Sequence, residues 1–373
     1  MAIAHAPDGG APATPRESDL PVWGGPADLL RFFLGWAVLA PSRHNAQPWV
    51  FEVEGDEARV YADPWRALPA VDPRDRELEM ACGAALLNLR LAAAHFGWAT
   101  SHEVVAGGRR DGMLARLRLE ERRPPGPDEE ELFRAIPCRR TCRLPLEGRD
   151  PPGGLVARLS RDAAEEGAVL RPVEDAERAA IAELVAEGDR RQWADGRVRA
   201  EYARWTRTGG SPRRDGMPAW SLGLSDAAAF LQPIWLRVSD PGAVEAERDR
   251  RRVAAARVLL CLGSWGDHPA DHVVAGQALQ RVLLRAAGAG LAACYLGSPV
   301  EVPELARRLR DTLGMRAFPQ VLFRVGYGGT MRPTPRRPVD DVVRRMEPLP
   351  PPPAMIAVSG GRAPAGAGEA RSR

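Results

Sequence analysis

The sequence predicts an α+β protein assembled from two related halves, and two observations predict it. Apolar residues at helical spacing alternate along the chain with short runs at strand spacing. One helical stretch also occurs twice, because residues 82–99 can be laid on residues 275–292. Gly83 then meets Gly276, Leu86 meets Leu279, Leu89 meets Val282, Ala93-Ala94 meet Ala286-Ala287, and Gly97 meets Gly290. Ala/Leu-rich helices resemble one another by composition alone, but co-located glycines with strand-like sequence after each argue for duplication. Small residues at matching positions also let two helices approach closely.

Taken in order, residues 1–19 are Ala/Gly/Pro-rich and expected to form a disordered tail. Leu29, Leu30, Phe33, Leu34 and Val38 make a helical stripe over 28–40. Residues 50–61 alternate around Glu54-Gly55-Asp56, which reads as a hairpin. A long helix follows from Pro73, with Gly97 as its C-cap, and then strands at 104–105 and 113–119 separated by Gly107-Gly108. The charged, Pro-rich stretch 121–131 reads as the linker between halves, at 20–122 and 123–346. Helices are expected at 129–136, 154–168 and 174–190, with a strand at 168–173. Residues 191–240 look least regular and contain Trp193, Trp205, Trp220 and Trp235, as expected of a lid-like insert or of a surface excursion packed on the body. A helix end and buried strand (253–262), a helix (268–287), a strand (320–325) and a disordered tail (347–373) complete the chain.

Composition narrows the function. The 373 residues are 45% hydrophobic and 27% charged, enough apolar material for a large core. All 52 basic residues are Arg, scattered among Asp and Glu at a net charge of only +3, which argues against a nucleic-acid partner. Anions can therefore be met only by guanidinium groups or neutral donors. Cys82, Cys138, Cys142, Cys261 and Cys294 are too dispersed for a disulfide framework. His268 and His272 have i,i+4 spacing without the Glu of a zinc motif, so no metal is expected. No Gly-x-Gly-x-x-Gly after a strand and no Walker A run appears. With no signal-like N-terminus and no membrane-spanning run, a cytoplasmic protein without a membrane partner is expected.

The stretch with the most chemistry is Pro41-Ser42-Arg43-His44-Asn45-Ala46-Gln47-Pro48-Trp49. Its prolines argue for a rigid loop, and Ser42, Asn45 and Gln47 both donate and accept hydrogen bonds. Such a loop suits a flat heterocycle with alternating N–H and C=O groups, or else it satisfies its own backbone at a helix-to-strand connection. Residues 40–49 resemble the FMN-edge loop of the nitroreductase family, with Arg43 where that family carries a small residue. Arg139-Arg140-Thr141-Cys142-Arg143 resembles its phosphate and ring motif, and Arg336-Arg337 its closing arginine motif. Tyr295-Leu296-Gly297-Ser298 follows the repeated helix where the family sets backbone amides against flavin N5.

The resemblance implies an FMN held by Pro41, Ser42, Arg43, Asn45, Gln47, Arg139, Arg140, Thr141, Arg143, Leu296, Gly297, Arg336 and Arg337. Arg139 and Thr141 would take the phosphate or ribityl end, with Arg143 near ring N1 and O2. Family members are homodimers with flavin sites between subunits. Two fused halves therefore imply a single-chain pseudo-dimer acting as a monomer, and look most like the Acg-like branch. The second half has only a worn echo of the loop, residues 225–235 with Gln232-Pro233, so one composite site is expected. An oxidoreductase passing hydride from NAD(P)H through flavin N5 follows, with no side chain needed as a general acid. The alternatives are a flavin-sequestering protein whose insert denies access, and an interaction module without flavin.

Overall fold

The computed structural model describes residues 15–105, 112–329 and 331–344. Residues 1–14 and 347–373 of the expected tails, and Gly107-Gly108, lie outside these. Within the first tail, Glu17–Asp19 form a 3-10 turn rather than disorder.

The first half runs α1 (Pro26–Ala37), β1 (Trp49–Glu54), β2 (Glu57–Ala62), α2 (Arg76–His95), β3 (Trp98–Val104) and β4 (Met113–Arg122). Pro26 opens α1 with its φ preset, and Asp28 Oδ2 accepts the Gly25 N–H at 3.0 Å, closing the first turn. Gly55, at φ +56°, takes the left-handed position that lets β1 fold straight back onto β2.

The second half runs α3 (Pro127–Ala135), α4 (Leu155–Glu165), β5 (Val169–Pro172), α5 (Asp175–Ala194), α6 (Gly196–Trp205) and β6 (Thr206–Arg207). It continues with β7 (Met217–Pro218), α7 (Asp226–Val238), α8 (Gly242–Ala255) and β8 (Val258–Ser264). Then come α9 (Pro269–Gly288), β9 (Ala292–Tyr295), α10 (Ser298–Glu301), α11 (Pro303–Thr312) and β10 (Phe318–Gly326).

The two large sheets are antiparallel and share one topology. Their orders are β1-β2-β4-β3 and β5-β8-β10-β9, which coincide when α2 is matched to α9. Those helices pack directly on each other. A Cβ on Gly83 would overlap the Val273 carbonyl, and one on Gly276 would overlap the Met80 carbonyl. Met80 and Val273 are themselves matched residues, so the contact is reciprocal. Glu79 and His272, also matched, meet at 2.7 Å, while Asp267 takes the other ring nitrogen at 3.0 Å. Both ring nitrogens of His272 are thus hydrogen-bonded to carboxylates.

The halves differ in how their sheets are covered. The outer strand β3 leaves much of its surface exposed, whereas all seven residues of β8 are buried between α4 and α9 on one side and α5, α8 and α11 on the other. Of this cover, α5 and α8 are inserted between β5 and β8, where the first half has only a tight turn, and α11 lies between β9 and β10. Residues 191–240 are therefore more regular than expected, because they contain α6 and α7. Ser225 is the N-cap of α7, its Oγ accepting the Ala228 N–H, and Gln232-Pro233 lie inside that helix. The expected loop echo at 225–235 is thus a helix; Pro233 broke the apparent periodicity without ending it. All five cysteines are free.

Candidate functional site

Three stretches distant in sequence meet beside the α2–α9 pair. The first is the loop after α1, which leaves Ala40 and enters β1 at Trp49. The second, 139–143, leaves α3 and runs along β9, with Cys142 N–H donating to Ala293 O at 2.8 Å. The third, 331–337, returns from the second half because the following residues pair with β1. Phe51 N–H donates to Val342 O (2.7 Å) and Arg344 N–H to Phe51 O (2.9 Å).

Between them lies a cavity of about 400 Å³. Of the residues expected at a cofactor site, Pro41, Ser42, Asn45, Arg139, Arg140, Thr141, Arg143 and Arg336 line it. Trp220, Ser221, Arg332 and Thr334 line it too and were not expected there individually. Trp220 had a signal, an aromatic in the candidate lid; Thr334 had none beyond its nearness to Arg336. Of the other insert tryptophans, Trp205 packs into an apolar cluster with Ala46 and Met217, and Trp235 is half exposed.

Arg43, Gln47, Leu296, Gly297 and Arg337 do not line the cavity. Arg43 turns away to Glu301 and to Glu77 (3.1 Å), and its guanidinium sits against Gly297. Burial alone would lower the Arg43 pKa, but the two carboxylates outweigh it and raise it. Leu296 is buried, donating its N–H to Leu322 O. Gln47 uses its amide within the fold: Nε2 donates to Arg214 O (2.8 Å), and Oε1 accepts the Arg337 N–H (2.8 Å). Arg337 is drawn toward Gln47 O and the Asp341 carbonyl.

The loop is held by its neighbours in an uncommon conformation. His44, Asn45 and Gln47 all have φ between +51° and +55°. Left-handed backbone at non-glycine residues costs on the order of 1 kcal/mol each, so surrounding bonds must hold it. Ser42 Oγ accepts the Gln47 N–H at 2.9 Å. Asn45 Nδ2 donates to Gly216 O in the insert and to Pro335 O, while Asn45 Oδ1 accepts from Arg336 at 2.8 Å. Asp215 adds ion pairs to Arg66 (3.0 Å) and Arg207 (2.8 Å), fixing the β6–β7 turn over the loop. His44 is buried, and burial, Arg43 and Arg143 keep it well below the usual histidine range, hence neutral.

The electrostatics of the cavity are one-sided. No Asp or Glu is among its lining residues. Arg139 and Arg336 are almost wholly buried, and neither has a carboxylate partner among the described residues. Burial pushes Arg139 down to about 10, and burial with the nearby charges of Arg139 and Arg140 pushes Arg336 to about 9. Arg140 and Arg143 are lowered by burial as well. The Nε atoms of Arg139, Arg140 and Arg336 are buried without an acceptor. Burying a guanidinium without an anion costs several kcal/mol, so an anion bound here would be strongly favoured.

No protein-family model matches the chain. Curated relatives do. A Mycobacterium tuberculosis H37Rv protein, Rv3131, named "Putative NAD(P)H nitroreductase", is 32% identical over 330 residues, covering 87% of this chain and 93% of the relative. A second protein of that organism with the same description, acg, is 30% identical over 327 residues, covering 84% and 95%. Among solved structures, a nitroreductase with bound FMN from Desulfitobacterium hafniense aligns with 58% of this chain and 98% of its own, at 16% identity and a TM-score of 0.35. The FMN-dependent nitroreductase NfnB from Mycobacterium smegmatis, in complex with NADPH, aligns with 58% and 99%, at 17% identity and a TM-score of 0.37.

Proposed function

Because the chain belongs to the nitroreductase family, on its Acg-like branch, we propose that it binds one FMN and passes electrons from NAD(P)H to a second small molecule. The observation that carries this reading is the buried arginine cluster without a counter-charge. A phosphate monoester supplies the missing anion, and its oxygens are acceptors for the orphaned Nε–H groups of Arg139, Arg140 and Arg336. Thr141 adds a hydroxyl, and Ser42 and Asn45 border the same cavity from the loop. The residues present therefore fit the group.

FMN, when bound, supplies the hydride chemistry. The chain's residues bind and orient it. Arg139 and Arg336 hold the phosphate end, and Arg143 places positive charge near the ring, favouring its reduced, more negative form. Trp220 and Ser221 close the cavity from the insert and limit water. The two halves act as a pseudo-dimer: one gives the loop, the other the arginines and the insert.

The test is the visible spectrum of the full chain after incubation with FMN and removal of excess. Flavin bands at one equivalent per chain, with FMN released on denaturation, are expected; colourless protein overturns the reading. The pinned β6–β7 turn favours a second reading, flavin sequestration behind a closed insert. Steady-state NAD(P)H oxidation by the loaded protein separates the two, since sequestration predicts little or none.

A further inference from the structure

Outside the cavity, the least explained feature is α7. Phe230, Leu231, Ile234, Trp235 and Val238 lie at helical spacing on one face, and each is 51–84% exposed. The opposite side, with Ala229 and Leu236, is buried against the insert. Soluble monomers rarely leave a contiguous apolar patch larger than about 300–600 Å² uncovered, and such patches mark interaction surfaces.

A second observation says what covers it. Along one edge of the stripe, α6 and α7 form a groove of about 350 Å³ lined by Arg199, Arg204, Arg237, Pro233 and Leu236. Arg199 donates to main-chain carbonyls, those of Leu236, Trp193 and Ala194. Arg204 and Arg237 are exposed and make no ion pair among the described residues. The acids nearby make their hydrogen bonds and ion pairs with other groups. Asp195 pairs with Arg197, and Glu201 accepts the N–H groups of Ala70 and Val71. Asp215 pairs with Arg66 and Arg207, and Asp226 accepts the Gly209 N–H. The groove is thus lined by three arginines and no acid, with neither Arg204 nor Arg237 in an ion pair among the described residues.

We propose that α7 docks the protein on an anionic lipid surface, the apolar stripe entering the headgroup–acyl boundary and the groove arginines meeting lipid phosphates. A helix lying flat in the interface combines an apolar face with a basic flank and needs no spanning length. No helix among the described residues is long and apolar enough to cross a membrane. The expectation of no membrane partner rested on that criterion, which does not test for a surface helix. A second copy of the chain fits less well. Self-docking through α7 would bury the apolar stripe but leave the arginine-lined groove beside it without an anion.

Co-sedimentation of the full chain with vesicles is the test. Vesicles of phosphatidylcholine with about one-third phosphatidylglycerol should retain it at least tenfold better than phosphatidylcholine alone, and less so at high salt. Ile234→Glu with Trp235→Glu should abolish retention on both. Arg204→Gln with Arg237→Gln should remove only the preference for anionic vesicles. All these side chains are exposed, so thermal midpoints should match the parent; if the Glu pair unfolds, Ile234→Ser serves instead. Wild-type protein that stays in the supernatant with both vesicles overturns the proposal. So does a wild-type dimer by light scattering that the Glu pair dissociates, which would make a second copy the occupant.

Discussion

Two arginine clusters, both buried, behave in opposite ways. Arg281 and Arg285 on α9 face Asp128, Asp162, Glu165 and Glu166, with Arg285 Nε 2.9 Å from Asp162. Burial works against the charge of Arg285, but Asp162 and Asp128 outweigh it and raise its pKa. The nearness of Asp128, Asp162 and Glu165 could suggest a metal site, yet these guanidiniums already occupy them. Arg139 and Arg336 are equally buried, have no carboxylate partner among the described residues, and are lowered instead. The residue type is the same; the partner decides. A compensated cluster holds α3, α4 and α9 together, and in the proposed reading the other is completed by the phosphate of a ligand.

The sharpest way to break this comparison is to remove the compensation. Asp162→Ala leaves Arg281 and Arg285 short of their shared buried partner, and should cost about 3–5 kcal/mol of stability in denaturant unfolding. A loss under 1 kcal/mol would mean that the remaining acids suffice and that the clusters are not opposites.

Asp189 supplies the mirror image, a buried carboxyl with no ion pair among the described residues. Burial and the charge of Asp249 raise it from 3.8 to about 7, and its Oδ2 has no partner. The folded state keeps a proton that the unfolded state releases, so this group lowers stability progressively as pH rises from about 4 to about 7. Asp189→Asn should therefore be more stable than the parent at pH 8, by on the order of 2–4 kcal/mol, and equal to it near pH 4. Thermal melts across that range check the sign; a difference independent of pH would contradict it.

Arg139→Met should split affinity from stability. FMN binding should weaken by about 1.5–3 kcal/mol, as for a lost charged hydrogen bond, while riboflavin, lacking the phosphate, binds both proteins alike. The flavin-free variant should gain on the order of 1 kcal/mol, because an uncompensated buried charge has gone. The corresponding Arg285→Met should lose stability. Calorimetry and chemical unfolding read both.

The smallest effect is expected from inorganic phosphate. At millimolar concentration it should raise the melting temperature of flavin-free parent protein by a degree or two, through preferential binding to the folded state. Arg139→Met should show less of this shift, and equal shifts would place the anion elsewhere.

Legibility in the sequence followed the range of the interactions. The helix match between Gly83 and Gly276 was readable because a backbone contact admits only the smallest side chain, and it is reciprocal in the fold. The loop at 41–47 announced itself through prolines and amides. Its Gln47 and Arg43 were assigned to the ligand, however, and the fold spends them on Arg214, Glu301 and Glu77. The groups they meet are encoded 34 to 258 residues away, and no local pattern reports such partners. Helix α7 was hidden for a different reason: its apolar stripe faces outward and Pro233 interrupts it.

By itself the sequence determined most element types outside 191–240, the repeated helix and the presence of three chemically unusual stretches, because period, turn residues and composition act over a few neighbours. Which arginines would be left without an anion was decided by tertiary structure alone. Arg139 and Arg285 are the same side chain, and only the fold, by bringing Asp162 to one and the cavity to the other, makes one a strut and leaves the other, among the described residues, without a carboxylate. The physical reason is that the energy of a buried charge depends on distance and dielectric, both set by packing rather than by order along the chain.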